Sequence, residues 1–177
     1  MVFSSAIFIF AYLPAVFFGY YAIPKKYSLA FLFLMNLVFF GWGEPVYLIL
    51  MLFSIIWNYG SALLIARFTR KKLIFIISVA INLAFIGFYK YSGFIVSSIS
   101  AAVPQLMRWF GGAPSPQGFD LGFAAPSLPI GISFYTFQAM AYVIDVYRGD
   151  MQAEKSALKF GTFISLFPQL IAGPIVL

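Results

Sequence analysis

The residues from Pro45 to Ala66, "PVYLILMLFSIIWNYGSALLIA", run for 22 positions without a charge. An α-helix needs about 20 apolar residues to cross the hydrocarbon core of a bilayer. The rest of the chain repeats this design, with long apolar runs separated by short turns in which the charges collect. Of its 177 residues 63% are apolar and only 9% are charged. A domain of this size in water cannot hide that much apolar surface, so the bilayer is the solvent. Only helices and closed barrels pair every backbone group inside lipid. Barrel strands alternate apolar and polar positions over about ten residues, whereas these runs are nearly continuous. The fold class is all-α, a polytopic helical membrane protein.

Reading the runs in order gives about six spans. The first is Phe3 to Ile23, bent by Pro14, which removes a helix hydrogen bond. It lacks the basic start and small-residue cleavage site of a secretory signal, so it reads as a retained helix. Ser28 to Gly43 is the second and looks short for a full crossing. Pro45 to Ala66 is the third, with Pro45 in the first helical turn, where its missing N–H costs little. The fourth runs from Leu73 to Tyr89 and is closed by the interface cluster around Lys90. Residues 92–127 read as an interfacial helix, Phe94 to Phe110, followed by a Gly/Pro/Ser loop. The fifth span is Leu128 to Tyr147, and the sixth run starts near Ala157.

Nine of the eleven basic residues fall in the connections after spans one, three and five: Lys25, Lys26, Arg67, Arg70, Lys71, Lys72, Arg148, Lys155 and Lys159. The other side holds Lys90 and Arg108. The positive-inside rule then puts the N-terminus outside and the odd connections in the cytoplasm. The net charge of +6 thus expresses topology and a lipid bilayer partner rather than nucleic acid.

Sites are sparse. There is no cysteine and no histidine, so thiolate chemistry, disulfides and an imidazole base are excluded within these residues. No phosphate-binding loop, zinc-protease motif or nucleophile elbow occurs. Asn36, Asn58, Asn82 and Gln138 lie inside spans, where hydrogen bonds between helices are their simplest use. Asp145 is the acid closest to a span interior. Arg148 follows three residues later, and a same-face ion pair between them is expected. Ser133, Tyr135 and Thr136 have no visible activating base.

Two stretches are more specific: "LPIGISFYTFQAMAYVIDVYRGD" from Leu128 to Asp150, and "FISLFPQLIAGPI" from Phe163 to Ile175. With "FFGWGEPVYLILMLFSIIWNY" and "KYSGF", they resemble the membrane-bound O-acyltransferase family in its bacterial, alginate O-acetyltransferase-like branch. Ala141 stands where that branch is expected to carry serine, a change expected to alter only a helix contact.

The resemblance implies an enzyme of a bacterial cytoplasmic (inner) membrane that moves acetyl groups to an exported polysaccharide. Alginate, cellulose, other exopolysaccharides and peptidoglycan are all acceptors within its range. Acetyl-CoA is the implied donor, no cofactor is expected to be bound, and a periplasmic or extracellular acetyltransferase is the implied partner. Relatives that load D-alanine use a carrier-protein thioester instead. Residues 1–177 would form the N-terminal part of the family's membrane domain, with the family histidine expected beyond Leu177. No catalytic residue is therefore carried over, and the chain alone is expected to be inactive. Pro129, Gly131, Pro168, Gly173 and Pro174 mark two helices that should be bent or broken, as suits the wall of a channel. Ser133 and Gln138 are candidates to line it. They lie five residues apart, off one common face, so at most one need do so. Other readings are an inactive shortened relative acting as a membrane scaffold, and a transporter segment.

Overall fold

A computed structural model describes residues 5–43, 45–109 and 131–172, and every described element is helical. The chain falls into two compact units, Met1–Asn82 with Ile130–Leu177, and Leu83–Pro129.

The first unit begins with a π-helical turn, Phe8–Tyr12, that leads into α1, Leu13–Ala22. Pro14 explains the wide turn: it offers no N–H to the carbonyl of Phe10, and one extra residue is taken up before the α-helix resumes. α2, Lys25–Gly43, starts three residues before the expected Ser28 and is long enough to cross a membrane. The two lysines belong to its first turn, so this span is not short. α3, Pro45–Arg67, matches the third run almost to the residue. Glu44, between them, lies outside the described residues.

α4, Lys71–Trp109, is a correction. The fourth span does not stop at Tyr89, because residues 90–109 continue the same helix. The Tyr-Lys-Tyr cluster and Gly93 are tolerated inside a helix, the glycine at about 1 kcal/mol. Interface anchors mark a depth in the membrane, and they do not end a helix whose backbone bonds are local. The loop expected over 110–127 lies outside the described residues. Among the described residues three helices, α2, α3 and the Lys71–Val103 part of α4, are long and apolar enough to cross a membrane.

Within the first unit, α3 and the start of α4 form an antiparallel hairpin. Asn58 and Asn82 exchange amide hydrogen bonds of 3.0 and 2.8 Å across it. Each amide also donates to the carbonyl one turn back, Ser54 or Ser78. In the second unit the rest of α4 exposes Phe88, Tyr91, Phe94 and Ile95, and the Lys90 ammonium lies 5.8 Å from the Tyr91 ring centre.

α5, Ile132–Arg148, is bracketed by Gly131 and Gly149 at φ 75° and 85°. At Gly149 the left-handed conformation closes the helix: the Gly149 and Asp150 N–H groups turn back to the carbonyls of Val146 and Asp145. The sixth run is two helices, α6, Ala157–Ser165, and α7, Phe167–Ala172. Pro168 cannot donate to Ile164, and its ring would strike that carbonyl, so the helix breaks at Leu166. α2 and α6 approach closely because residue 161 is glycine: a Cβ there would meet the Phe33 ring at 2.9 Å.

Candidate functional site

The break between α6 and α7 exposes backbone groups that the bundle must satisfy, and three amides gather there. Asn36, fully buried on α2, accepts from the Phe167 N–H at 3.4 Å. Gln138, on α5, donates to the carbonyl of Phe163 at 3.3 Å and to Gln169 Oε1 at 3.1 Å. Phe167 itself is held in a box of rings. Phe8, Tyr12 and Phe39 have their centres 5.8, 5.6 and 5.5 Å away. The Tyr12 hydroxyl donates to the Met35 carbonyl at 2.6 Å and fixes one wall of that box. A broken membrane helix is stable only where protein or a polar cavity takes up the freed groups, and here amides and rings do so.

Next to the break lies a cavity of about 270 Å³. Gln138, Ala141, Tyr142 and Asp145 line it from α5, at the i, i+3, i+4, i+7 spacing of one helix face. Lys159, Phe160 and Phe163 line it from α6, and Met151 and Glu154 from the connection. Ser133 is absent from this lining, and Gln138 is part of it.

The connection is tied down at its polar end. The Glu154 N–H donates to the Tyr142 hydroxyl at 2.7 Å, and the Tyr59 hydroxyl on α3 donates to the Lys155 carbonyl at 2.7 Å. Ser156 caps α6 by accepting from the Lys159 N–H, while Glu154 Oε1 accepts from the Ser156 N–H at 3.0 Å. The same carboxylate stands 4.0 Å from the Lys159 ammonium. The cavity thus has rings in its walls, an amide at one position and two carboxylates with a lysine among its lining residues.

Asp145 is not paired as expected. Arg148 turns instead to Asp150, Nε to Oδ2 at 3.0 Å, because the left-handed turn at Gly149 brings the chain back beside it. The Asp145 side chain is left to line the cavity. The four amides expected to bond between helices all do so. Ala141 does more than touch another helix: it lines the cavity, so the expected serine would add a hydroxyl to the wall. Sequence reasoning also missed Tyr142, Glu154, Lys159 and Gln169. The signal for the first was its spacing of four residues from Gln138 and three from Asp145.

Chemically the arrangement can seat a small, largely apolar group with a polar end. The sequence holds no histidine to act as an imidazole base, and no cluster of His, Cys, Asp or Glu among the described residues could hold a metal ion.

Comparison with known proteins gives this architecture a family. The chain is 36% identical over 181 residues to a probable alginate O-acetylase of Pseudomonas syringae pv. tomato, covering 99% of this chain and 33% of that protein. It is 37% identical over 183 residues to its counterpart in Pseudomonas aeruginosa, again over 99% of this chain and 33% of the relative. The chain is a relative of the alginate O-acetylases, in the membrane-bound O-acyltransferase family. A peptidoglycan O-acetyltransferase of Helicobacter pylori is 30% identical over 208 residues, covering 99% of this chain and 37% of that protein. The chain therefore spans about a third of the length of the curated relatives it matches. No family model matches it, and no solved structure matches it significantly.

Proposed function

We propose that this chain forms part of the membrane domain of an O-acetyltransferase that modifies an exported polysaccharide. The observation that carries the reading is the identity of 36–37% to alginate O-acetylases across 99% of the chain. The geometry fits that role. A path for an acyl group through a bundle needs broken helices, satisfied backbone and a cavity with apolar walls. The α6–α7 break, the amides of Asn36 and Gln138 and the cavity between α5 and α6 supply them.

In this reading the protein sits in the cytoplasmic membrane of a bacterium, crosses it several times and keeps its N-terminus outside. The basic connections then face the cytoplasm, and the acetyl donor on that side is acetyl-CoA. The acceptor is an alginate-like polymer, reached with the help of an acetyltransferase on the far side. The Gln138 amide holds the broken helix in place beside the moving acyl group and touches neither donor nor polymer in a bond-making step. Attack of a hydroxyl on a thioester wants a base with a pKa near 7, which histidine usually supplies. These 177 residues contain none, so the chain by itself forms no ester.

A chimera tests this. The matching third of the Pseudomonas putida alginate O-acetylase, 37% identical over 181 residues, is replaced by this chain in cells deleted for their own enzyme. Acetyl esters on the polymer should reappear, while the 177-residue chain alone should yield none. Gln138→Leu in the chimera should lower ester content several-fold at unchanged membrane abundance. A chimera that inserts and resists heat like the parent, yet makes no esters, would overturn the reading.

A further inference from the structure

The turn between α3 and α4 plays no part in the site described above. It reads "RFTRKK" and places Arg67, Arg70, Lys71 and Lys72 within six residues, all four exposed. Among the described residues the ion pairs are Arg148–Asp150 and Lys159–Glu154, so no carboxylate neutralises this turn. A basic turn alone would express membrane topology. Here it coincides with a second feature. An open groove of about 490 Å³ is cut between the end of α3 and the start of α4. Leu64, Phe68, Leu73 and Ile74 are its apolar walls, with Thr69 and Arg70 as the polar members. Leu64, Phe68 and Leu73 are 45%, 50% and 54% exposed, so the described residues leave the groove open along its length.

The chemistry of the groove selects its occupant. A soluble anion would match the charge and leave four apolar walls wet. A neutral fatty chain would cover the walls and leave four cations without a counter-charge. A molecule that joins an anion to a hydrocarbon chain satisfies both. Position agrees. Arg70 lies midway in sequence between Asn58 and Asn82, the amides that pair across the hairpin. About a dozen residues of helix, roughly 18 Å, separate the pair from the turn. With the amides near the bilayer centre, the turn stands at headgroup level, since the hydrocarbon core is about 30 Å thick.

We propose that the α3–α4 turn binds an anionic phospholipid. One acyl chain lies along Leu64, Phe68, Leu73 and Ile74, and the headgroup phosphate meets Arg70 and the neighbouring cations. The lipid holds the hairpin at a fixed depth, whatever the chain's role in acetyl transfer.

The test uses the full 177-residue chain in nanodiscs of phosphatidylcholine with a minority of phosphatidylglycerol. The protein is released into mild detergent, and retained lipid is read by native mass spectrometry. Phosphatidylglycerol should be retained at least tenfold above its share. Arg70→Gln should weaken that retention about fivefold. Removing all four charges (R67Q, R70Q, K71Q, K72Q) should abolish the preference. Leu73→Trp keeps every charge but fills the groove, and it should also lose the lipid. A control that removes two cations elsewhere, Lys25→Gln with Lys26→Gln, should retain it, and millimolar inorganic phosphate should not displace it. Helical circular dichroism checks each variant; if the four-charge variant misfolds, Arg70→Gln and Leu73→Trp decide. The proposal is overturned if the two lipids are held in proportion to supply. It is equally overturned if Leu73→Trp binds like the parent, or if the Lys25/Lys26 control loses as much lipid as Arg70→Gln.

Discussion

Amides are buried at two places in the first unit, and they are used differently. Between α3 and α4, Asn58 and Asn82 sit in matching settings, each four residues after a serine. Each spends one amide hydrogen on its own helix and one on its partner, so the pair is closed. At the α6–α7 break the polar groups are more numerous and less complete. Asn36 takes the Phe167 N–H through its oxygen, but its Nδ2 is buried without a hydrogen-bond partner, as is the hydroxyl of Ser165 at the end of α6. The reciprocal pair fixes the register of two helices, and the Ser78 hydroxyl one turn before Asn82 is the group left without a partner there. An open cluster beside a cavity keeps hydrogen-bonding capacity inside the membrane, where an orphaned polar group costs about 1–3 kcal/mol. The broken-helix region, with the cavity beside it, is the part of the bundle on which the proposed function rests.

The comparison can be broken most severely at Gly161. Leucine there drives a side chain into Phe33, whose ring already lies 2.9 Å from the position of a Cβ. The expected loss is about 3 kcal/mol or more, read as thermal unfolding in micelles. Loss should be largest at the α2–α6 contact and smaller at Ile55 of α3, 3.6 Å from the same Cβ position, so a hydrogen-exchange experiment should find the α3–α4 amides losing less protection than α2 and α6. Equal loss of protection in both regions would show that they are not separate.

A smaller effect separates the two kinds of amide. Asn58→Leu alone should cost about 1–3 kcal/mol, because it leaves the Asn82 amide buried and half-paired. Adding Asn82→Leu should recover most of that loss in a double-mutant cycle. Gln138→Leu should cost about 1 kcal/mol, and adding Gln169→Leu should recover little, since the Phe163 carbonyl remains without its donor. Full recovery at the second site, or none at the first, would erase the distinction.

The mildest test perturbs almost nothing. The chain has no cysteine, so single cysteines report cleanly on access. Ala141→Cys, in the cavity wall, should react with a small maleimide, whereas Ala139→Cys, at 0% exposure two residues away, should not. Equal reactivity at both positions would remove the cavity.

Much of this was legible residue by residue. Gln138 stood out as an amide on an apolar helix, and it does reach the broken segment. Ser133 stood out as a hydroxyl on the same helix and is not among the residues that line the cavity. Tyr142 and Glu154 drew no attention and Lys159 only counted toward topology, since nothing local says that the connection folds back over α5. The Asp145–Arg148 pair failed although both residues lie in α5, because the left-handed turn at Gly149 brings Asp150 beside Arg148 as a competing partner. The end set at Tyr89 failed for a related reason, an interface signal standing in for a helix signal.

What the sequence determined by itself is helix type and much of helix extent, as α3 shows. Inside lipid every backbone group must be paired, and a continuous apolar run without the alternation of a barrel strand pairs its own groups as a helix. Prolines and glycines act locally too, which made the break near Pro168 readable before any packing was known. The choice of which faces meet came only with the tertiary structure. A helix that is apolar all round carries no stripe to say which side is inward. The contact that closes the site, Asn36 with the Phe167 backbone, joins positions 131 residues apart. No spacing rule reaches that far; only the packing of α2 against the broken helix brings those atoms together.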